Sequence, residues 1–472
     1  MENYLAVFEA VCERIREILW GPPMLFVFLA AGVYFTVRTG FFQLTGLKTW
    51  LGQTLLAFVK HKEVRKTGEN HAISQFQSLC TALAATGGTG NIAGVATAIV
   101  AGGPGAVFWM WISAFLGMMT NFAEKTLGIR YRYKDKSGSW VGGAMIYIEK
   151  GLHCRWLAVL FSAFCVLASF GIGNMAQANS MAEALYAGMG VPQLATGLVT
   201  GVLVCVVIVG GIKRIAGITD KLVPGMTVCY LLGALAVIAF HFQALPEAVG
   251  AIFREAFSWK AGLGGAAGYG MRRAMQVGIS RGVFSNEAGL GSSVMVHATS
   301  DVKEPAVQGM WGICEVFLDT IVVCTITALT ILCSGVYNQT IYLNAMASGT
   351  LDALANGAAL TGQAFSSVFG GAGSIFIAVA MTMFGFSTLL GWSFYGERAV
   401  AYLFGEKAVG VYQIVFCCFI VLGCVSRLEL VWLVSDIFNG FMAIPNLLAL
   451  GVLGGQAVAE LRGCLMRLEG SD

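Results

Sequence analysis

Charged side chains are scarce in this chain: Asp, Glu, Lys and Arg make up 12% of its 472 residues, about half of the roughly 25% usual in a soluble globular domain. With 57% hydrophobic residues and a mean hydropathy of +0.74, water is not its main solvent. Proline is sparse as well, with eight in all. No Pro/Ser linker, charge block or low-complexity tract divides the apolar stretches, so the sequence reads as one domain. The five histidines (His61, His71, His153, His241 and His297) are scattered. Neither Cys-x-x-Cys nor His-x-x-x-His spacing occurs, which argues against a zinc site. The Gly-x-x-x-x-Gly-Lys-Ser/Thr loop and the His-Glu-x-x-His pair are also missing, which disfavours an ATP-driven pump within the chain and a zinc peptidase. Residues Gly278 to Gly282 fit Gly-x-Ser-x-Gly by letter, but inside an apolar span, without the strand-to-helix turn of a nucleophile elbow, so the match is chance. The net charge of +3 is small and dispersed, which gives no basis for a nucleic-acid partner.

What the sequence has in quantity is apolar length. Runs of about 18 or more residues, enough for a helix to cross a hydrocarbon core roughly 30 Å thick, recur from end to end. They predict an all-α polytopic membrane protein with eleven spans near 22–38, 74–101, 104–129, 156–187, 193–210, 221–241, 271–298, 306–334, 364–393, 409–425 and 429–455. Residues Met1 to Trp20 read as a short amphipathic segment without the basic start and small-residue cleavage site of a secretory signal. Thirteen cysteines would suit a disulfide framework, but Cys80, Cys165, Cys205, Cys324, Cys417 and Cys418 lie inside apolar runs, where Cys acts as a small buried hydrophobe.

Lysine and arginine accumulate on the cytoplasmic side of short loops. Twenty-one of them fall in one alternate set of loops, including Arg38, Lys60, Lys125, Arg132 and Lys213, and seven (Arg14, Arg16, Arg254, Lys260, Arg272, Arg273 and Arg427) in the other. This asymmetry predicts the N-terminus outside, the C-terminus inside and an odd number of crossings.

Two spans are interrupted. Thr86-Gly87-Gly88-Thr89-Gly90-Asn91 sits in the middle of the second, and its three glycines each cost a helix about 1 kcal/mol. The seventh carries Gly282-Val283-Phe284-Ser285-Asn286-Glu287-Ala288-Gly289-Leu290-Gly291-Ser292-Ser293. Glycine-rich faces in membrane helices often provide close packing alone, and Gly90 with Gly94, or Ser285 with Gly289, have that spacing. Two such segments five spans apart, however, are placed as an inverted repeat requires, with 74–241 as one half, 271–455 as the other, 22–38 as an extra helix and 456–472 as a cytoplasmic tail. Unwound backbone at membrane depth is tolerated where it lines an internal site. A break offers amides to anions at one half-helix end and carbonyls to cations at the other. Elsewhere, Asn174 and Gln177 share a face of the fourth span. Ser387 and Thr388 in the ninth are hard oxygen ligands suited to Na⁺. Glu287 and Arg281 read as a network supporting the second break, and Glu315 and Asp319 are further carboxylates within spans.

The run Gly102-Gly103-Pro104-Gly105-Ala106-Val107-Phe108-Trp109-Met110-Trp111-Ile112-Ser113-Ala114-Phe115-Leu116-Gly117 closely resembles the signature of the alanine/glycine:cation symporter family. Thr86 to Asn91, Gly142 to Met145 with Tyr147, Phe284 to Gly291 and Phe386 to Gly396 are similar to that family too, from about residue 20 to 455. The resemblance implies a leucine-transporter-like fold and a bacterial inner-membrane symporter that brings in alanine or glycine with Na⁺. It places Thr86, Gly87, Gly88, Thr89, Gly90, Asn91, Gln177, Gly282, Phe284, Ser285, Asn286 and Trp392 at the substrate, and Ala82, Ala85, Ser387 and Thr388 at the ion. Bulky Phe384, Met383 or Trp392 would limit the pocket to small substrates. The expected partners are a small neutral amino acid, Na⁺ and the bilayer, with no further cofactor and a monomeric chain. Proton coupling, or a receptor that binds without transporting, are the alternatives.

Overall fold

The computed structural model describes residues 2–69, 71–257, 267–348, 350–426 and 428–469, so Lys260 and Arg427 of the charge pattern lie outside the described residues. Eight helices among them are long and apolar enough to cross a membrane: Phe8–Arg38, Gly105–Tyr131, Arg155–Met189, Gly211–Phe240, Pro305–Cys333, Gly371–Phe404, Glu406–Val425 and Leu433–Glu469. The other three predicted spans fall on a shorter helix, Gln193–Ile208, and on the two broken stretches. The second span is a helix Gln75–Thr86, a tight turn Thr89–Asn91 and a helix Ala93–Gly102. The seventh is a helix Ala267–Asn286, irregular backbone, and a short helix Val294–His297. Ser74 and Gln77 form a reciprocal capping box that starts Gln75–Thr86, which satisfies two backbone donors that the helix itself leaves open.

Two expectations change. The last helix runs on to Glu469 and buries Ala457, Val458, Leu461 and Cys464, so residues 456–469 are part of the packed body and not a free tail. The ninth span, expected near 364–393, is displaced: Gln339–Ser348 and Gly357–Phe369 are separate helices before it, and the span itself runs Gly371–Phe404 after a turn at Gly370 (φ 57°).

Helices five places apart in the order of spans pack against each other. Gly312 of the eighth faces the third, where an added Cβ would stand 2.9 Å from Asn121 O. Gly188 of the fourth faces Ala378 of the ninth at 2.9 Å, and Gly197 of the fifth faces Cys424 of the tenth at 3.2 Å. The two broken spans meet where Gly90 faces the Phe284 ring at 3.5 Å. Lipid tails provide no hydrophobic force between apolar helices, so close approach through small residues and polar contacts holds such pairs together. Packing of these four pairs of counterparts is the arrangement an inverted repeat produces when its halves interlock around a common axis.

Among the described residues, one lysine–carboxylate pair lies fully inside. Lys125 and Glu315, each with no exposed side-chain surface, stand 3.5 Å apart between the third and eighth spans. His297 Nε2 reaches the same Glu315 oxygen at 2.9 Å, and Gln308 ties His297 to Ser78 of the first broken span. Lys125 is therefore no loop residue. Its place next to Glu124 at the end of an apolar run made it look like one. Leaving a buried charge unpaired costs about 3–5 kcal/mol. Glu315→Ala should lower the melting temperature in detergent sharply, and Lys125→Met with Glu315→Leu should recover most of the loss. A double variant as unstable as the single would show that the pair does not account for the effect.

Candidate functional site

Around the first break, the backbone trades its helical partners for side chains. Gly87 N–H still closes onto Leu83 O, but Gly88 N–H turns back to Thr86 O. Thr89 N–H goes to Gln177 Oε1 at 3.1 Å, and Thr89 Oγ1 donates to the same oxygen at 2.9 Å. The carbonyls of Ala84 and Ala85 are thus released from the amides four residues on, which a continuous helix would have given them. Ala84 O accepts from Thr388 Oγ1 at 2.9 Å and Ser387 Oγ at 3.4 Å, and both hydroxyls also bond Phe384 O. Ala82, Ala85, Ser387 and Thr388 are all buried, and an added Cβ on Gly391 would press against Ala85. The structure therefore brings Ser387 and Thr388 to the end of this half-helix at the carbonyl of Ala84, with Ala85 against Gly391 of the same span; Ala82 O is instead taken by Thr86 Oγ1 within the half-helix.

Gln177 owes its aim to a wide π-helical turn, Gly171–Met175, directly before it. Its Nε2 donates to Ile172 O at 3.1 Å, which leaves Oε1 facing the break. Such turns inside an α-helix commonly mark functional positions. Asn174, expected on the same face, instead donates to Phe416 O and holds two helices together. Gly88 faces both clusters: an added Cβ would lie 2.6 Å from Thr388 Oγ1 and 2.9 Å from Gln177 Oε1.

The second break is built differently. Glu287 adopts a left-handed backbone (φ 55°), followed by Gly289 (φ 93°) and Gly291 (φ 75°). The amides of Gly289 and Gly291 both donate to Glu124 Oε1, at 3.1 and 3.0 Å, and Asn446 Nδ2 joins them and also donates to Gly289 O. This anion seat already holds a carboxylate of the protein itself. Glu287 and Arg281, read from the sequence as one network, have separate surroundings. The Glu287 oxygens accept from Ser292 Oγ and, at 2.9 Å, from Trp392 Nε1, whereas the Arg281 guanidinium lies 5.4 Å from the Phe284 ring centre.

Of the predicted substrate residues, Thr86 to Asn91, Gln177, Phe284 and Ser285 converge. Ser285 Oγ stands 3.3 Å from Asn91 Oδ1. Asn286 bonds Thr320 Oγ1 and the amide of Ala288, at the edge of the group. Gly282 faces Ser113 and Met110, a packing contact with the Gly102–Gly117 signature. Trp392 is turned towards Glu287 and packs on Gly173, so it supports the second break. Of the bulky residues expected to limit the pocket, Phe384 packs edge-on against Tyr230, and Met383 lines an apolar groove with Leu185 and Leu203. A cavity of about 660 Å³ begins one residue beyond the first break, lined by Ala93, Gly94, Thr97, Glu183, Arg281 and residues of 356–381. Sequence reasoning noted Asp319 without placing it at the site, and it missed Glu124 and Asn446. An asparagine amid the apolar run around Pro445 was the available signal for the last.

Two interrupted helices facing each other across an inverted repeat, with hydroxyl oxygens against one broken end, define a secondary transporter of the leucine-transporter-like fold rather than an enzyme. A crystal structure of MhsT in complex with L-phenylalanine shares the fold, with a TM-score of 0.59 over 84% of this chain and 93% of that one at 14% identity. The chain belongs to the sodium:alanine symporter family, whose profile matches residues 5–468. It is 43% identical to the sodium/alanine symporter AgcS of Methanococcus maripaludis over 96% of this chain and 97% of that protein. It is 37% identical to the probable sodium/glutamine symporter GlnT of Bacillus subtilis over 97% and 90%.

The crowding at Gly88 makes a direct test. Its φ of −94° suits any residue, so Gly88→Ala should fold normally and yet lose alanine uptake by tenfold or more, equivalent to about 1.4 kcal/mol. Gly94→Ala, with nothing within 4 Å of its Cβ, serves as the control. Equal uptake by the two variants would remove this flank from the site.

Proposed function

We propose that this protein carries alanine, glycine or a similarly small neutral amino acid into the cell together with Na⁺, with no other cofactor. The observation that carries the reading is the juxtaposition at the first break: carbonyls released at the C-terminal end of Gln75–Thr86 meet Ser387 and Thr388, and Gln177 reaches the next turn of the same break. Carbonyl and hydroxyl oxygens suit a hard cation. The free amides that open Ala93–Gly102 suit the substrate carboxylate, and because the second seat is filled by Glu124, the carboxylate belongs at the first. Thr86, Gly87, Gly88, Thr89, Gly90, Asn91 and Gln177 then surround the amino acid, Phe284 and Ser285 close it from the second break, and Ala82, Ala85, Ser387 and Thr388 hold the ion. Gly282, Asn286 and Trp392 act on the site through the elements they brace.

Coupling follows because ion and substrate both stabilise one packing of the first broken helix against Arg155–Met189 and Gly371–Phe404. They need not touch each other.

The chain crosses a bacterial inner membrane eleven times as a monomer, with its N-terminus outside and its C-terminus in the cytoplasm. The loop charges support this orientation, since the bias is still twenty against seven once Lys125 is moved into the protein. In this orientation the 660 Å³ cavity is the outer approach to the site.

Purified protein in liposomes should accumulate labelled alanine only under an inward Na⁺ gradient. Uptake that follows a proton gradient and ignores Na⁺ would overturn the ion assignment, and binding without accumulation would favour a receptor. Ser387→Ala should raise the half-saturating Na⁺ about fivefold, the effect of one hydrogen-bond-sized contact of about 1 kcal/mol. Gln177→Ala should weaken alanine tenfold or more, as expected for a contact to a charged group worth about 1.5–3 kcal/mol. Unchanged apparent affinities in both variants would refute this placement of the site.

A further inference from the structure

A groove of about 450 Å³ runs between the fourth, fifth, sixth and ninth spans, with Met181, Leu185, Leu203, Ile218, Met383 and Phe386 among its walls. Its side chains are apolar apart from three threonines. Of these, Thr196 and Thr382 give their hydroxyls to Pro192 O and Ala378 O, one turn back on their own helices. Val199 and Leu203 on its edge are 61% and 52% exposed, so within a membrane the groove opens to hydrocarbon. A space walled by carbon stays dry and takes apolar matter.

The length of the groove selects what fills it. Along the fifth span it extends from Ala195 to Leu203, about 12 Å at 1.5 Å per residue. Val191 carries it past the outer end of Gln193–Ile208. One leaflet of a bilayer holds roughly 15 Å of hydrocarbon. The groove thus has the reach of one acyl chain lying along the helices, and in the orientation proposed above that chain belongs to the outer leaflet.

The floor of the groove is the back of the proposed binding site. Met383 stands one helical turn before Ser387, Phe386 is its neighbour, and Met181 lies one turn after Gln177. An added Cβ on Gly385 would stand 2.4 Å from Met181 Cγ and 3.5 Å from Gln177 O, so the fourth and ninth spans touch directly beneath the groove. Two of the three floor residues are methionines, which repack readily. What lies in the groove therefore decides how firmly this stretch of the ninth span is held, and the same stretch brings Ser387 and Thr388 to Ala84 O.

We propose that a straight phospholipid acyl chain occupies this groove and, by packing on Met181, Met383 and Phe386, strengthens Na⁺ binding at Ser387 and Thr388. The effect on the ion rests on Na⁺-coupled uptake as the protein's function. A methyl-branched chain is too wide to lie flat along the groove, and side chains left without atoms on one side lose those contacts.

Two exposed positions on the fifth span separate the groove from the general lipid surface. Ala195→Trp lays an indole across the groove, whereas Leu198→Trp adds the same group beside it, at a residue 54% exposed. Native mass spectrometry of detergent-washed protein should show one phospholipid kept per wild-type chain, kept also by Leu198→Trp and lost from Ala195→Trp. In palmitoyl-oleoyl phosphatidylglycerol liposomes the wild type should need at least threefold less Na⁺ for half-maximal alanine uptake than in diphytanoyl phosphatidylglycerol, whose chains are methyl-branched. Ala195→Trp should give one value in both lipids, and Leu198→Trp should follow the wild type.

A wild-type protein that keeps no lipid overturns the proposal, as does lipid kept equally by Ala195→Trp. A dimer that Ala195→Trp breaks would mean that a second copy of the chain covers the groove, and overturns it too. Equal Na⁺ requirements of the wild type in the two lipids would overturn the link between groove and ion. A complete lack of Na⁺-dependent alanine uptake would instead remove the function on which that link rests, and the retained mass alone would then decide whether the groove holds lipid.

Discussion

Backbone amides and carbonyls inside a bilayer have no water to turn to, so a helix can be opened only where the protein supplies every partner the opening exposes. Most of what surrounds the two breaks is that supply. Gln177 takes the amide of Thr89, Ser387 and Thr388 take the carbonyl of Ala84, and Glu124 and Asn446 satisfy Gly289 and Gly291. The side chains that stabilise the first opening are also those proposed to meet the cargo, so binding there exchanges contacts already present. A site that exchanges partners in this way can release what it binds, as a carrier requires.

The interlocked helix pairs enclose the site. Small residues let the third and eighth, fourth and ninth, and fifth and tenth spans approach closely, and Lys125 with Glu315 adds a buried charge pair to the first of these contacts. These pairs make a rigid frame around the broken helices. The π-helical turns at Gly171–Met175 and Phe317–Cys324 lie in that frame where it touches the first break, and each turns a polar side chain, Gln177 or Asp319, inward. Local widening of each helix thus brings a polar side chain to the first break, Gln177 to Thr89 and Asp319 to Asn91.

The parts legible in the sequence were those governed by one-dimensional rules. Apolar length located the spans to within a few residues in most cases. Glycine in mid-span located both breaks, and Gln177, Ser387 and Thr388 stood out as polar residues where lipid tolerates few. Pairwise geometry was not legible. Arg281 and Glu287 are six residues apart and opposite in charge, yet the left-handed turn at Glu287 directs its carboxylate to Trp392 while Arg281 lies over Phe284. Glu124 and Lys125 read as the polar end of a helix because their partners, Asn446 and Glu315, are far away in sequence. The π-helical turns leave no compositional trace, so the bonds that join Asp319 to Asn91 and Ser285 of the two breaks appear only in the structure.

Twofold related halves ought to present two equivalent seats for an anion, one at each break. Glu124 occupies one of them permanently with a charge from the polypeptide, much as a tethered ligand would. The symmetry that builds the cage is therefore chemically spent on one side: the amides of the second break are committed to Glu124, and those that open Ala93–Gly102 are the ones left for the proposed cargo.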